Sequence, residues 1–219
     1  MAVPLLLLTA LLGFLGWMYA ANWRPRVSDF PIQGVDVSAD DGAIDWWASK
    51  KSGVSFVYAR ATSGASYRDP QFAESWRLAG EAGLKRGALH VYSLCQSALA
   101  QAGNFVSTVP RVDDQLPPAL LLDFDSACAA RPGRNQVLAE IEALAKAIET
   151  HSERKVVLKV SKAFEAEYRV SEGTTRPLWS RQAFFPPWYL ARNWTMWQAS
   201  GFRRIEGADR PVNWDVMAK

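Results

Sequence analysis

The 219-residue sequence predicts an α/β fold. Parallel strands close into a barrel with helices outside, irregular in its last third, behind an N-terminal transmembrane helix. Three observations point there. Apolar runs of strand length alternate with stretches of helical periodicity from Gly34 to Val160, the pattern of repeated strand–helix units on a parallel sheet. One of those runs, Ala119–Phe124 (ALLLDF), is apolar almost throughout, as strands buried on both faces are. Finally, no formally charged side chain precedes Arg24, so Val3–Ala20 is long enough at helical rise to cross a hydrocarbon layer that needs ~20 residues.

The elements come in order along the chain. Gly34–Ser38 (GVDVS) is a short strand, and Asp45 caps a short helix through Trp46, Trp47 and Lys50 that Gly53 stops. Ser55–Thr62 is a strand, rich in β-branched and aromatic residues. Asp69-Pro70 opens a helix whose stripe is Phe72, Trp76, Ala79 and Gly83. Ala88–Tyr92 is a strand, and Ser97–Val109 a helix with Ala98, Ala102, Phe105 and Val109 on one face. After Ala119–Phe124 comes the clearest helix, Asn135–Thr150, with Val137, Ile141, Leu144 and Ile148 inward and a Glu142/Lys146 pair outward. Val156–Val160, Pro177–Trp179 and Thr195–Ala199 complete the strands, without regular helices between the last two.

The first residues, MAV, lack the basic start of a signal peptide, and Met18 or Tyr19 would sit too near any cut after Ala20 or Ala21. An uncleaved anchor fits better, with Trp17, Tyr19 and Trp23 at one interface. Arg24 and Arg26 favour retention of the remaining chain on the cytoplasmic side, whereas a pair of cysteines placed to form a disulfide favours export. The chain therefore divides into residues 1–23 (anchor or uncleaved signal segment), a linker at 24–33, and a barrel domain at 34–219.

Composition narrows the function. With 25 Lys and Arg against 22 Asp and Glu, the net charge is +3, and 49% of residues are hydrophobic. Disorder, collagen-like repeats and a disulfide-dense scaffold are excluded, and no basic run suggests nucleic acid as a partner. There is no glycine-rich phosphate loop, HExxH, CxxC or GxSxG. With only His90 and His151, neither a metal site nor a Ser–His–Asp triad is expected. His151 reads as a solvated helix end, and His90 as a hydrogen-bonded strand residue.

Carboxylates at strand ends are the informative feature. Asp123 and Asp125 are two apart, so they share a face of one strand, and Asp36 stands near the end of another. In a parallel barrel the strand exits form one rim, where active sites lie. Acids converging there supply the protonated acid and ionised partner of glycoside hydrolysis. Alternatively they cap helices or pair with Arg60 and Arg131. Cys95 lies five residues after His90, and Cys128 five after Asp123. On neighbouring strands ~4.8 Å apart these offsets bring both to one rim, where a disulfide would imply an oxidising compartment; two separate buried thiols are the alternative. Among ten tryptophans, Trp179, Trp188, Trp194 and Trp197 offer faces to sugar rings or fill the core.

GVDVS followed by IDW, then FVYARATSG, YRDPQFAESW, AGLKRGALHVY, LPPAL, PLW and WQAS, resembles the family 25 glycoside hydrolases, the Chalaropsis-type lysozymes. The resemblance runs in order from Gly34 to Met217. It implies an incomplete TIM-like β/α barrel that cleaves the bond after N-acetylmuramic acid in peptidoglycan glycan strands, without a cofactor. Asp36 corresponds to the family's first acid. The family's central Asp and Glu, two residues apart, fall on Leu121 and Asp123 without a gap. A shift of two gives Asp123 and Asp125 but requires an insertion inside a strand, which disrupts pairing.

The resemblance thus implies Asp123 as proton donor, Asp36 as an electrostatic or positioning acid, and Asp125 as an auxiliary or alternative donor. It implies Tyr58, Arg60, His90, Tyr92, Lys159, Trp179, Trp197 and Asn213 around the substrate. Several positions depart from the family. Arg60 replaces Lys, Ser63 replaces Glu, Lys159 a tyrosine, Asn213 an aspartate and Ala199 an aromatic. Asp123 is one methylene shorter than the usual glutamate, and a positioning error near 1 Å costs ~100-fold in rate. A glycan-binding member of the same fold that has lost catalysis is the alternative.

Overall fold

A computed structural model describes residues 2–219, with side chains from Leu6 onward. Helix α1 (Ala2–Asn22) precedes nine strands, β1 (Gln33–Val37), β2 (Phe56–Ser63), β3 (Tyr67–Arg68), β4 (Lys85–Val91), β5 (Ala119–Leu122), β6 (Val157–Val160), β7 (Leu178–Arg181), β8 (Met196–Arg203) and β9 (Val212–Met217). Eight of them close a barrel in the order β1-β9-β8-β7-β6-β5-β4-β2, with β2 returning to β1. The short β3 folds back on β2 as a hairpin. All barrel pairings are parallel except those of β9, which runs antiparallel to β8 and β1. Helices α2 (Trp46–Lys51), α3 (Phe72–Glu81), α4 (Ala98–Thr108), α5 (Arg134–Ser152) and α6 (Lys162–Tyr168) complete the elements. The expected α/β barrel is therefore present.

Local chemistry explains most boundaries. Asp45 accepts from the backbone N–H of Trp47 and Ala48 at 3.0 Å, capping α2 as the sequence suggested. Ser97 and Ser161 cap α4 and α6 in the same way. Helix α3 starts at Phe72, with Gln71 at the cap position, later than the Asp69-Pro70 start expected. Asp69 Oδ1 accepts from the Gln71 N–H at 3.0 Å and closes the preceding turn, while Oδ2 takes Arg60 at 2.7 Å and the Ala39 N–H at 3.0 Å. Glu142 likewise forms no helix-face pair with Lys146, because Arg176 at the entrance to β7 takes it together with Glu149.

Strand alternation sorts the core into two layers. Val35, Val57, Ala59, Leu120, Leu122, Leu158 and Val160 face the helices. Phe56, Tyr58, Leu89, Ala119, Val157, Trp179 and Met196 fill the barrel. The two large rings of β2 fit because their neighbours are glycines. A Cβ on Gly34 would stand 2.6 Å from the Phe56 ring, and one on Gly87 would overlap that of Tyr58. This packing closes the N-terminal end of the barrel and leaves polar side chains to line the other.

The last third differs most from expectation. Helix α6 (Lys162–Tyr168) and strand β9 (Val212–Met217) are present without having been expected from the sequence. Helix α1 is apolar and outward-facing, with Leu6 and Leu7 both 67% exposed. Its end is held by the barrel: Trp17 stacks on Phe202 at 5.6 Å, and the Arg204 N–H donates to the Ala21 carbonyl at 2.8 Å. Among the described residues no helix is long and apolar enough to cross a membrane. A transmembrane crossing thus lacks support.

Candidate active site

The polar end of the barrel is built in two levels. On the lower level Lys159 (β6) projects inward beside Leu121 and Trp179, its partners in register on β5 and β7. Lys159 is 1% exposed, and a buried ammonium requires compensation. It finds it across the barrel, where Nζ donates to Asp36 Oδ2 at 2.5 Å, and over the face of Trp179, 4.1 Å from the ring centre. The other oxygen of Asp36 accepts from Asn213 Nδ2 at 3.1 Å, from the opposite position on β9. Burial alone would raise the Asp36 pKa, but the Lys159 charge and the hydrogen bonds from Lys159 and Asn213 leave it below the usual carboxylate range.

Asp215, two residues after Asn213, points the same way. It is fully buried, and its Oδ1 accepts from Trp179 Nε1 at 3.0 Å. Burial first, and then the negative charge of Asp36, push its pKa well above the ordinary value.

The upper level carries Asp123, two residues beyond Leu121. Strand β5 pairs with β4 and β6 without a register shift, with Ala119 and Leu121 on the inner face, and Asp123 follows just past the last paired residue, Leu122. Asp123 is ion-paired with Arg181, whose Nε also donates to Gln198 Oε1 at 3.3 Å. Gln198 in turn donates to Asn213 Oδ1 at 3.0 Å. A hydrogen-bonded chain therefore links Asp123 at the rim to Asp36 at the floor through Arg181, Gln198 and Asn213. Above it Asp123, Ser161, Arg181, Gln198, Ser200 and Phe202 line an open cleft of about 430 Å³.

Asp36, Lys159, Asn213 and Trp179 thus meet at the floor, and Asp123 joins them through Arg181 and Gln198. The remaining candidates do not. Asp125 lies beyond the strand, exposed, where its carboxylate accepts from the Ala127 N–H at 2.8 Å. Tyr58 is buried under Trp179 with its hydroxyl on the Pro117 carbonyl at 3.0 Å. Arg60 pairs with Asp69 and Asp40 at the edge of the barrel. His90, Tyr92 and Trp197 face the helices, because their neighbours Leu89 and Met196 take the inner face. His90 is held by Thr62 at 2.7 Å and Gln101 at 3.2 Å, and burial pulls its pKa down to about 4. Trp194 packs on Phe30 and Trp197, and Trp188 is 74% exposed beside Lys162. Arg131 caps carbonyls of its own loop rather than an acid.

Cys95 and Cys128 form a disulfide, Cα atoms 5.9 Å apart, tying the loops after β4 and β5. Sequence reasoning missed Arg181, Gln198 and Asp215. The signal for Asp215 was its two-residue spacing from Asn213, which acquires meaning only once β9 is recognised as a strand.

A closed β/α barrel with carboxylates at the C-terminal end of its strands, beneath an open cleft, defines a barrel glycoside hydrolase. The sequence pattern of glycosyl hydrolases family 25 matches residues 35–208. That match covers most of the chain, which belongs to this family and is a lysozyme-like glycoside hydrolase. A family 25 glycosyl hydrolase from Bacillus anthracis superposes with a TM-score of 0.82 at 26% identity, covering 88% of this chain and 91% of that one. The lysozyme of Streptomyces coelicolor gives 0.77 at 28% identity, covering 85% and 91%. In sequence, Lysozyme M1 of Streptomyces globisporus is 28% identical over 201 residues, 83% of this chain and 66% of that protein. YegX of Escherichia coli strain K12 is 27% identical over 217 residues, 96% of this chain and 78% of its own length.

Proposed function

We propose that the protein cleaves the glycan strands of bacterial peptidoglycan in the cleft above Asp123, with Asp123 as proton donor to the glycosidic oxygen. Asp36 supplies a fixed negative charge below the sugar ring, where positive charge develops in an oxocarbenium-like transition state. Its lowered pKa suits that task, since the charge is in place before the sugar arrives. Arg181 orients Asp123 at rest. A sugar hydroxyl or acetamido oxygen that engages the guanidinium would release the carboxylate, which takes up a proton from solvent and then donates it to the glycosidic oxygen.

The observation that carries this reading is the placement of Asp36 and Asp123 at one end of one barrel, joined by the Arg181–Gln198–Asn213 chain. Export to the periplasm or the cell exterior completes the proposal, with attachment to a membrane through α1. The disulfide and the outward-facing leucines support it. Incubation with purified cell walls tests the activity: turbidity falls, and the released muropeptides end in a reducing muramic acid. Saturable binding to the walls with no new reducing ends would replace this reading with that of a glycan-binding protein.

A further inference from the structure

The floor of the barrel holds one more acid than the proposed reaction uses. Asp215 Oδ1 is taken by the Trp179 indole, while Oδ2 is completely buried and meets no donor. A buried carboxylate with a bare oxygen is costly. The neighbouring acid is Asp36, on the adjacent strand β1, whose partner in register, Asn213, stands two residues before Asp215 on the same face of β9, and its negative charge acts on Asp215. Two neighbouring buried carboxylates do not both ionise without a large penalty, and such a pair is relieved when it holds one proton.

The surroundings decide which acid keeps it. Asp36 already accepts from Lys159 and Asn213, both of which stabilise its anion. From β6 comes the cation Lys159, and it touches Asp36. From β7 comes the neutral Trp179, from β2 the neutral phenol of Tyr58, and from β8 the amide of Gln198. β4 and β5 contribute only apolar side chains, Leu89 and Leu121.

We propose that Asp215 is a positioning residue, a neutral carboxylic acid whose Oδ2–H donates to Asp36 and holds that carboxylate as a single fixed anion facing the cleft. The proton stays on Asp215 throughout. Asp36, Lys159 and Asp215 then make a neutral floor with one oriented negative charge. Ionisation of Asp215 at alkaline pH would replace the attractive contact with a repulsive one and displace Asp36.

The inference rests on the hydrolase reading for its kinetic arm alone. In the intact protein with ¹³C-labelled aspartate, one side-chain carboxyl resonance is expected to remain in the protonated position at neutral pH and to vanish in Asp215→Asn. With cell walls as substrate, Asp215→Ala is expected to lower kcat about tenfold or more with little change in KM, as a loosened charge does. Asp215→Asn, which keeps both a donor and an acceptor, should recover most of that loss and carry the alkaline limb of the pH–rate profile upward. Circular dichroism of both variants separates these effects from unfolding. An ionised Asp215 at neutral pH, or a kcat in Asp215→Asn no higher than in Asp215→Ala, overturns the proposal. A protonated Asp215 carboxyl resonance in a protein that releases no reducing ends would instead remove the hydrolase reading and leave the neutral Asp215 standing.

Discussion

Lys159 Nζ and Asp36 Oδ2 meet at 2.5 Å across the barrel, from strands β6 and β1 that are not neighbours in the sheet. Both side chains are buried, so each charge depends on the other for compensation. The pair couples the floor of the cleft to the closure of the barrel.

Removing one partner is therefore expensive. Lys159→Met leaves a buried, unpaired carboxylate and is expected to lower stability by about 3–5 kcal/mol in urea denaturation. The double variant with Asp36→Asn should lose less than the sum of the two single changes. Additive losses would mean that the contact contributes little.

His90 sets a second, pH-dependent expectation. Burial holds its pKa at about 4, below the ordinary 6.5. Between these values the unfolded chain binds the extra proton, so stability is lost as pH falls from 6.5 through 4, by roughly 3 kcal/mol. Asp215 acts with the opposite sign, because its raised pKa costs stability as pH rises out of the carboxylate range. The difference between the protein and His90→Gln isolates the histidine. Urea midpoints at pH 4.5 and 7 should diverge more in the native chain than in the variant; equal divergence contradicts the assignment.

The Cys95–Cys128 disulfide closes a loop with a sequence separation of 33. Loop-closure entropy for that length corresponds to roughly 3–4 kcal/mol. Reduction by dithiothreitol should lower the urea midpoint accordingly while circular dichroism retains the α/β signature.

Asp125 serves its own turn and faces water. Asp125→Asn should change wall cleavage by about twofold or less, the ordinary range for surface changes. A large loss would restore the shifted correspondence in which Asp123 and Asp125 form the acid pair.

Much of this was legible in the sequence. GVDVS, the apolar ALLLDF and the capped helices announced parallel strands and their crossings because each carries its own local signal. Asp36 and Asp123 stood out as acids closing apolar runs. His90, Tyr92 and Trp197 were misplaced for a specific reason. In a strand buried on both faces, apolarity does not reveal which residue points inward, and a one-residue change of parity moves a side chain from the cleft to the helix layer. Arg181 and Gln198 lie in strands whose flanks lack regular helices, so their approach to Asp123 and Asn213 emerges only from barrel closure. Asp215 was obscured because the pairing of β9 with β1 joins the two ends of the barrel domain.

Release of reducing ends from purified cell walls, compared between the intact protein and Asp123→Asn, probes the proposed donor without intermediaries. Steady release is expected from the intact protein, and a loss of about 100-fold or more from the variant, as when a general acid is removed. Equal release by both would show that Asp123 is not the donor.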